Sequence, residues 1–201
     1  ILYMENIGNS PKILGLDIST KTIGWALFDL QGGQLLELTH FSPKIKPTPE
    51  SKIEEMLKKT DQFKNKLIDC SKMGITQVII EEPLMNSNNI RTVSTLMRYN
   101  SFITRIIYEV LGIIPQYIST YNSRKFAFPK LFTENKKGRK VLFGNYDVGC
   151  DKKQIIWQQV SDKEPHLTWA YTRNNTLKKE NFDMADAYTC VLGAMKQKDI
   201  W

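Results

Sequence analysis

Residues 13–29 of this chain read ILGLDISTKTIGWALFD, and this stretch decides how the rest of the sequence is interpreted. Two apolar runs flank a short polar segment, which is the pattern of two β-strands joined by a tight turn. Asp17 ends the first run, where a strand of this composition is expected to be buried. Burial of a carboxylate costs free energy unless a partner compensates the charge. The position of Asp17 therefore needs a physical reason.

The segments that follow predict a mixed α/β sheet with helices on both faces. Gly32 and Gly33 give a strong hairpin signal, so the chain opens with a three-stranded antiparallel meander. Two further strands follow amphipathic helices, and this order predicts that they pair in parallel. The predicted strands are 13–17, 22–30, 34–41, TQVIIEEP and IIPQYIS, and the predicted helices are 50–72, 88–111, 121–128, 151–161 and 182–197.

Length and composition predict one folded domain with a basic surface. The 201 residues suffice for a single core, with residues 129–180 as a probable insertion whose Gly- and Lys-rich first part, 129–149, is expected to be irregular. A net charge of +7 favours a polyanionic partner, although a merely solvated basic surface is equally compatible with it. No run is long enough to cross a membrane, and no signal peptide is recognisable. Three scattered cysteines predict a reduced, cytoplasmic protein that is not secreted.

Carboxylates stand at three places where the pattern predicts burial. Asp17 ends the first strand, Glu81 and Glu82 follow the apolar run of the fourth, and Asp183 and Asp186 lie on one face of the last helix. Each has an ordinary structural alternative. Asp17 could begin a turn, Glu82 could reach solvent, and Asp183 could interact with the helix dipole. The neighbours of Asp186 leave it few solvent-facing positions.

A bound cation is the usual solution for several buried carboxylates, because like charges resist ionising together. Oxygen ligands without His or Cys suit Mg²⁺, with Mn²⁺ as an alternative. Two such ions held by carboxylates form the two-metal arrangement that hydrolyses phosphodiester bonds. The basic surface would then hold a nucleic-acid backbone over the acidic site.

Three stretches together resemble RuvC-type Holliday junction resolvases, which belong to the RNase H-like nuclease superfamily. They are ILGLDISTKTIGWALFD, VIIEEP and DMADAY, in the same order as the three acidic motifs of that family. The first stretch also resembles the opening motif of CRISPR effector nucleases and of YqgF proteins. The resemblance implies an RNase H-like fold and a Mg²⁺-dependent endonuclease that cleaves four-way junctions and other branched DNA. It assigns catalysis and metal binding to Asp17, Glu81, Asp183 and Asp186.

The resemblance also bears on residues around these acids. Glu81 is chosen over Glu82 because the family glutamate directly follows the apolar run, which leaves Glu82 outward or behind the site. Basic residues of the family hold the scissile phosphate, and Lys152 and Lys153 occupy a comparable place. Arg91, Arg98 and Arg105 recur every seven residues and could face DNA or simply solvent. The family places an aromatic residue shortly after the glutamate, where this chain has Leu84 and Met85.

Family membership further implies a homodimer, since two symmetric strands are cut together; pairing through the long helix is plausible. The small size and the insertion fit a phage or other viral enzyme, acting in a bacterial or virus-infected cell. Three alternatives stay open: an RNase H-like nuclease for flaps or RNA/DNA hybrids, a DNA-binding module without activity, and an actin-like ATPase or kinase. The last is suggested by GLDIST, but such enzymes need two domains of this kind.

Overall fold

The computed structural model describes residues 10–45, 51–83, 89–135, 137–147 and 149–197. The strands of the main sheet are β1 (Lys12–Ile18), β2 (Ile23–Asp29), β3 (Leu35–Phe41), β4 (Ile75–Glu81) and β5 (Gln116–Ile118). The helices are α1 (Lys52–Cys70), α2 (Ile90–Leu111), α3 (Thr120–Ala127), α4 (Lys152–Lys163) and α5 (Glu180–Lys196). Within these described ranges, no helix combines the length and the apolar character that a membrane span requires.

The five strands form one mixed sheet in the order β3-β2-β1-β4-β5. The first three strands are antiparallel neighbours, whereas β4 pairs in parallel with both β1 and β5. This confirms the predicted sheet of three antiparallel and two parallel strands. The central strand β1 is covered on both faces, which explains why its sequence is almost continuously apolar.

Helices cover both faces of the sheet and form two cores. On one face, α1 and α2 pack on Leu14, Leu16 and Trp25. On the other, α3, α4 and α5 pack on Ile13 and Phe28. Adjacent residues of a strand point to opposite faces, so β1 contributes to both cores in alternation. Helix α5 lies between the sheet and α3 and α4, and its middle turns are therefore buried all round and mostly apolar.

The prediction of an irregular segment over residues 129–149 is wrong in part. This segment contains a 3₁₀ turn, Pro129–Leu131, and a small antiparallel pair, β6 (Phe132–Glu134) and β7 (Lys140–Leu142). Leu131 and Phe143 bury their side chains in the core beside α5. Strands of three residues are too short for an alternating pattern to reveal them.

Candidate metal centre

The alternation of side chains along β1 and β4 brings Asp17 and Glu81 together. Asp17 points to the same face of β1 as Ile13, and Glu81 to the same face of β4 as Ile79, which is the face covered by α5. The two strands are parallel neighbours, with Leu16 opposite Ile80. Their carboxyl ends therefore meet at one edge of the sheet, where sites of α/β proteins collect.

Two glycines allow α5 to approach this edge closely. Gly24 is opposite Asp17 in the β1–β2 ladder, and a Cβ atom there would overlap the carbonyl oxygen of Asp183. A Cβ atom at Gly15 would overlap the side chain of Val191. Only residues without a side chain fit at these positions, and the close contact places Asp186 over the ends of β1 and β4.

Three carboxylates converge at this point. Oxygen atoms of Asp17, Glu81 and Asp186 lie within 4.8 Å of one another, which is a spacing that could hold a metal ion. Asp183 lies outside this group of three but lines the same cavity, which has a volume of about 410 Å³. We call it the acidic cavity. An all-oxygen ligand set of this kind fits a hard divalent cation.

Sequence patterns do not predict two residues of the site, which both come from α3. Arg124 donates a hydrogen bond from Nη2 to Asp186 Oδ1 at 3.1 Å, and both side chains are nearly buried, with 11% and 7% exposed. The hydroxyl of Thr120 donates to Glu81 Oε1. Both residues reach the site because β5 lies beside β4 and leads directly into α3. Helix α3 therefore begins at the same edge of the sheet at which β4 ends with Glu81. The sequence pattern that could have indicated these two residues is their spacing of four, which puts them on one helix face directly after the short strand β5.

Burial and mutual repulsion disfavour ionisation of these acids. Burial raises the pKa of Asp17 well above its ordinary value, and the charges of Glu81 and Asp186 raise it further. Burial, together with Asp186, raises the pKa of Glu81 to about 7. Burial also raises the pKa of Asp183 to about 6, although Lys153 opposes this rise. The positive groups of the protein therefore compensate the acids only in part, as expected of a site built for a cation.

Two lysines predicted to hold phosphate, Lys152 and Lys153, and the glutamate predicted to point outward, Glu82, lie at the rim of the acidic cavity. Lys153 Nζ is 3.9 Å from Asp183 Oδ1 and 3.9 Å from Asp186 Oδ2, and its side chain is 54% exposed. Lys152, at the start of α4, also lines the cavity. Glu82 is exposed and lines the wall without joining the group of three carboxylates.

The arginines of α2 are not part of this cavity. Arg91 and Arg98 are exposed and do not line it, and Arg105 pairs with Glu109 on the surface at 2.7 Å. Leu84 and Met85, which stand where the family has an aromatic residue, lie outside the described residues. The contribution of α2 to the cavity wall is Leu96.

Comparison with solved structures identifies the fold. The model superposes on RuvC of Thermus thermophilus in complex with a Holliday junction substrate with a TM-score of 0.59 and 9% identity, covering 94% of this chain and 95% of that chain. For the T. thermophilus RuvC structure, the TM-score is 0.54 at 11% identity, covering 94% of this chain and 96% of that chain. No protein-family model and no curated protein matches the sequence. The chain therefore has the RNase H-like fold seen in RuvC.

Proposed function

We propose that this protein is a Mg²⁺-dependent, structure-selective endonuclease that cleaves Holliday junctions and other branched DNA. The observation that carries the proposal is the convergence of Asp17, Glu81 and Asp186 within 4.8 Å at the sheet edge. The fold agrees with it, because RuvC, whose structure with a junction is known, has the same arrangement of strands and helices. Such an enzyme would act in recombination, DNA repair or the resolution of replication intermediates in the cytoplasm.

The residues present fit Mg²⁺, with Mn²⁺ as a substitute. Asp17, Glu81 and Asp186 would hold the metal, and Asp183 would complete a second, adjacent position. Bound in this way, two ions supply an activated water and stabilise the charge on the leaving oxygen during phosphodiester hydrolysis.

The chain's other groups position the acids and the substrate. Arg124 fixes the carboxylate of Asp186, and Thr120 orients that of Glu81 by a hydrogen bond. Lys153 and Lys152 stand at the rim, where they would hold the phosphate next to the scissile bond. The +7 net charge of the chain favours association with DNA.

The proposed enzyme acts as a homodimer, so that both strands of a junction are cut. Support comes from an exposed apolar stripe on α2, formed by Ile90, Met97 and Tyr108, which are 82%, 42% and 51% exposed. Their spacing puts them on one face of the helix. Sedimentation of the wild type and of Met97→Lys tests this interface. We expect the wild type to sediment as a dimer and Met97→Lys to sediment as a monomer. A monomeric wild type contradicts the proposal.

The decisive experiment is cleavage of a synthetic four-way junction by Asp17→Asn, with Asp61→Asn, an exposed acid on α1, as the matched control. We expect Asp17→Asn to bind the junction as the wild type does and to lose Mg²⁺-dependent cleavage, while Asp61→Asn stays active. Matched flap, RNA/DNA hybrid and duplex substrates distinguish a junction resolvase from a flap nuclease or a ribonuclease H. Unchanged cleavage by Asp17→Asn would refute the assignment.

A further inference from the structure

A second cavity lies next to the acidic one, and its walls are basic. It has a volume of about 220 Å³ and is formed by the turn after β1 and by parts of α1 and α2. We call it the lysine cavity, after Lys21, Lys52 and Lys59 in its wall. Glu55 also lines it, but this carboxylate is paired with Lys59 at 2.6 Å. The four charged side chains therefore leave a net positive charge of two.

Two of the lysines of this cavity have no acidic partner among the described residues. Neither Lys21 nor Lys52 forms an ion pair with any described residue. Tyr99 lines the cavity and is 1% exposed, and its buried hydroxyl has no hydrogen-bond partner in the described part of the chain. That oxygen exposes less than 1 Å², so a ligand in the cavity does not contact it. Thr95, one turn before Tyr99 on α2, adds a further hydroxyl.

The lysine cavity is connected to the acidic cavity. Lys21 also lines a third cavity of about 440 Å³, which shares Ser19, Lys153 and Asp183 with the acidic cavity. Lys59, only 14% exposed, donates from Nζ to the carbonyl oxygen of Thr20 at 2.9 Å. The turn that follows Asp17 is thus fixed to α1. The same turn therefore joins Asp17 at the acidic cavity to Lys21 in the lysine cavity.

Two arginines extend the basic surface beyond the cavity. Arg91 and Arg98 are four residues before and three residues after Thr95 on α2, so they flank it on the same helix face. Lys21, Lys52, Arg91 and Arg98 form no ion pair with a described residue and lie in or beside the lysine cavity, whereas Lys152 and Lys153 line the acidic cavity. A polyanion bound to both groups would extend over both cavities.

We propose that the lysine cavity binds a backbone phosphate of the DNA substrate, separate from the phosphate at the cleaved bond. Lys21 and Lys52 supply the charge, and the hydroxyl of Thr95 donates a hydrogen bond to a phosphate oxygen. This site fixes the register of the strand on the protein without contacting a base. The inference rests on the proposed function, since it takes DNA as the ligand.

Binding of a labelled four-way junction, measured by fluorescence anisotropy in Ca²⁺ at several salt concentrations, tests the proposal. Lys21→Gln and Lys52→Gln should each weaken binding about three- to ten-fold and reduce the slope of log K against log salt by about one. The matched control is Lys72→Gln, which removes an exposed lysine just after the far end of α1, a helix of 19 residues that is about 28 Å long. The proposal is overturned if the salt slopes of Lys21→Gln and Lys52→Gln equal the slope of Lys72→Gln.

A second variant separates ligand binding from folding. Thr95→Val removes the hydroxyl that would contact the phosphate and keeps the shape of the side chain, so thermal stability should change little while junction affinity falls about three-fold. Unchanged affinity counts against the proposal. Titration with a mononucleotide tests the other source of a phosphate. If Lys52→Gln loses mononucleotide binding but keeps the junction affinity and slope, the cavity is a nucleotide site and the proposal is wrong.

These outcomes are distinguishable from failure of the proposed function. If Asp17→Asn still cleaves while the lysine variants lose affinity, the nuclease assignment fails and the phosphate site stands. If Asp17→Asn is inactive while the lysine variants bind like the control, only the phosphate site fails. A wild-type protein that binds no DNA refutes both.

Discussion

Removal of one buried charge should stabilise the metal-free protein. Burial and Asp186 raise the pKa of Glu81 from 4.5 to about 7, so the folded protein binds a proton that the unfolded chain releases at a lower pH. Stability linked to such a group is present below pH 4.5 and is lost as the pH rises towards 7. The rise in pKa corresponds to about 3 kcal/mol of stability lost by pH 8.

Glu81→Gln avoids this loss because glutamine stays neutral and can still accept the hydrogen bond from Thr120. We expect the variant to match the wild type near pH 4 and to exceed its stability at pH 8 by up to about 3 kcal/mol, or about 6 to 12 °C in Tm. Asp17 and Asp183, whose pKa values are also raised, give the wild type a further decline with pH in the same direction.

The assay is thermal unfolding in EDTA across pH 4 to 8, repeated with millimolar Mg²⁺. Glu82→Gln is the matched control, since Glu82 is the next residue and is exposed. It should leave the pH profile unchanged. Mg²⁺ should stabilise the wild type at pH 8 and have less effect on Glu81→Gln, because the variant has lost a metal ligand. A Glu81→Gln protein that is less stable than the wild type in EDTA at pH 8 would refute the reasoning.

Two further substitutions test how the site is built. Gly24→Ala should push Asp183 and α5 away from β2, cost about 1 to 3 kcal/mol and reduce cleavage more than junction binding; wild-type activity would contradict the required close approach. Arg124→Met should cost about 3 kcal/mol at pH 8 in EDTA, because the buried Asp186 keeps only the exposed Lys153 at 3.9 Å, and Mg²⁺ should restore part of this stability in thermal unfolding. The control Arg105→Met breaks an exposed ion pair and should change the stability little. A stability loss in Arg124→Met that is equal with and without Mg²⁺ would contradict the role of Arg124.

The parts of the site that lie on β1 and β4 could be predicted from the sequence. Asp17 ends an apolar run, and the period of two along the next such strand means that only one of Glu81 and Glu82 can face the site; the resemblance to RuvC-type resolvases selected Glu81. The order of strands and helices also predicts that both strands end at the same edge. Asp183 and Asp186 follow from their spacing of three residues within an apolar helix. Each inference uses only neighbours along the chain.

The contribution of α3 depends on contacts that no local pattern contains. Arg124 reaches Asp186 because β5 pairs with β4 and α3 packs against α5, and these pairings join segments far apart in sequence. The residues next to Arg124 in the sequence have the pattern of an ordinary surface helix. The lysine cavity has the same origin, since Lys21 and Lys52 meet only through the packing of a turn against α1. Charged residues that act across elements are therefore the ones that sequence patterns miss.

The balance of charges explains why the acids tolerate this position. Four carboxylates, Asp17, Glu81, Asp183 and Asp186, face two nearby cations, Arg124 and Lys153, so the fully ionised group carries a net charge of two negatives. Without a metal, protons supply the missing charge, which is what the raised pKa values of Asp17, Glu81 and Asp183 express. A divalent ion would neutralise the group by displacing those protons. The packing that raises these pKa values is thus the packing that, under the proposed function, a divalent cation would stabilise.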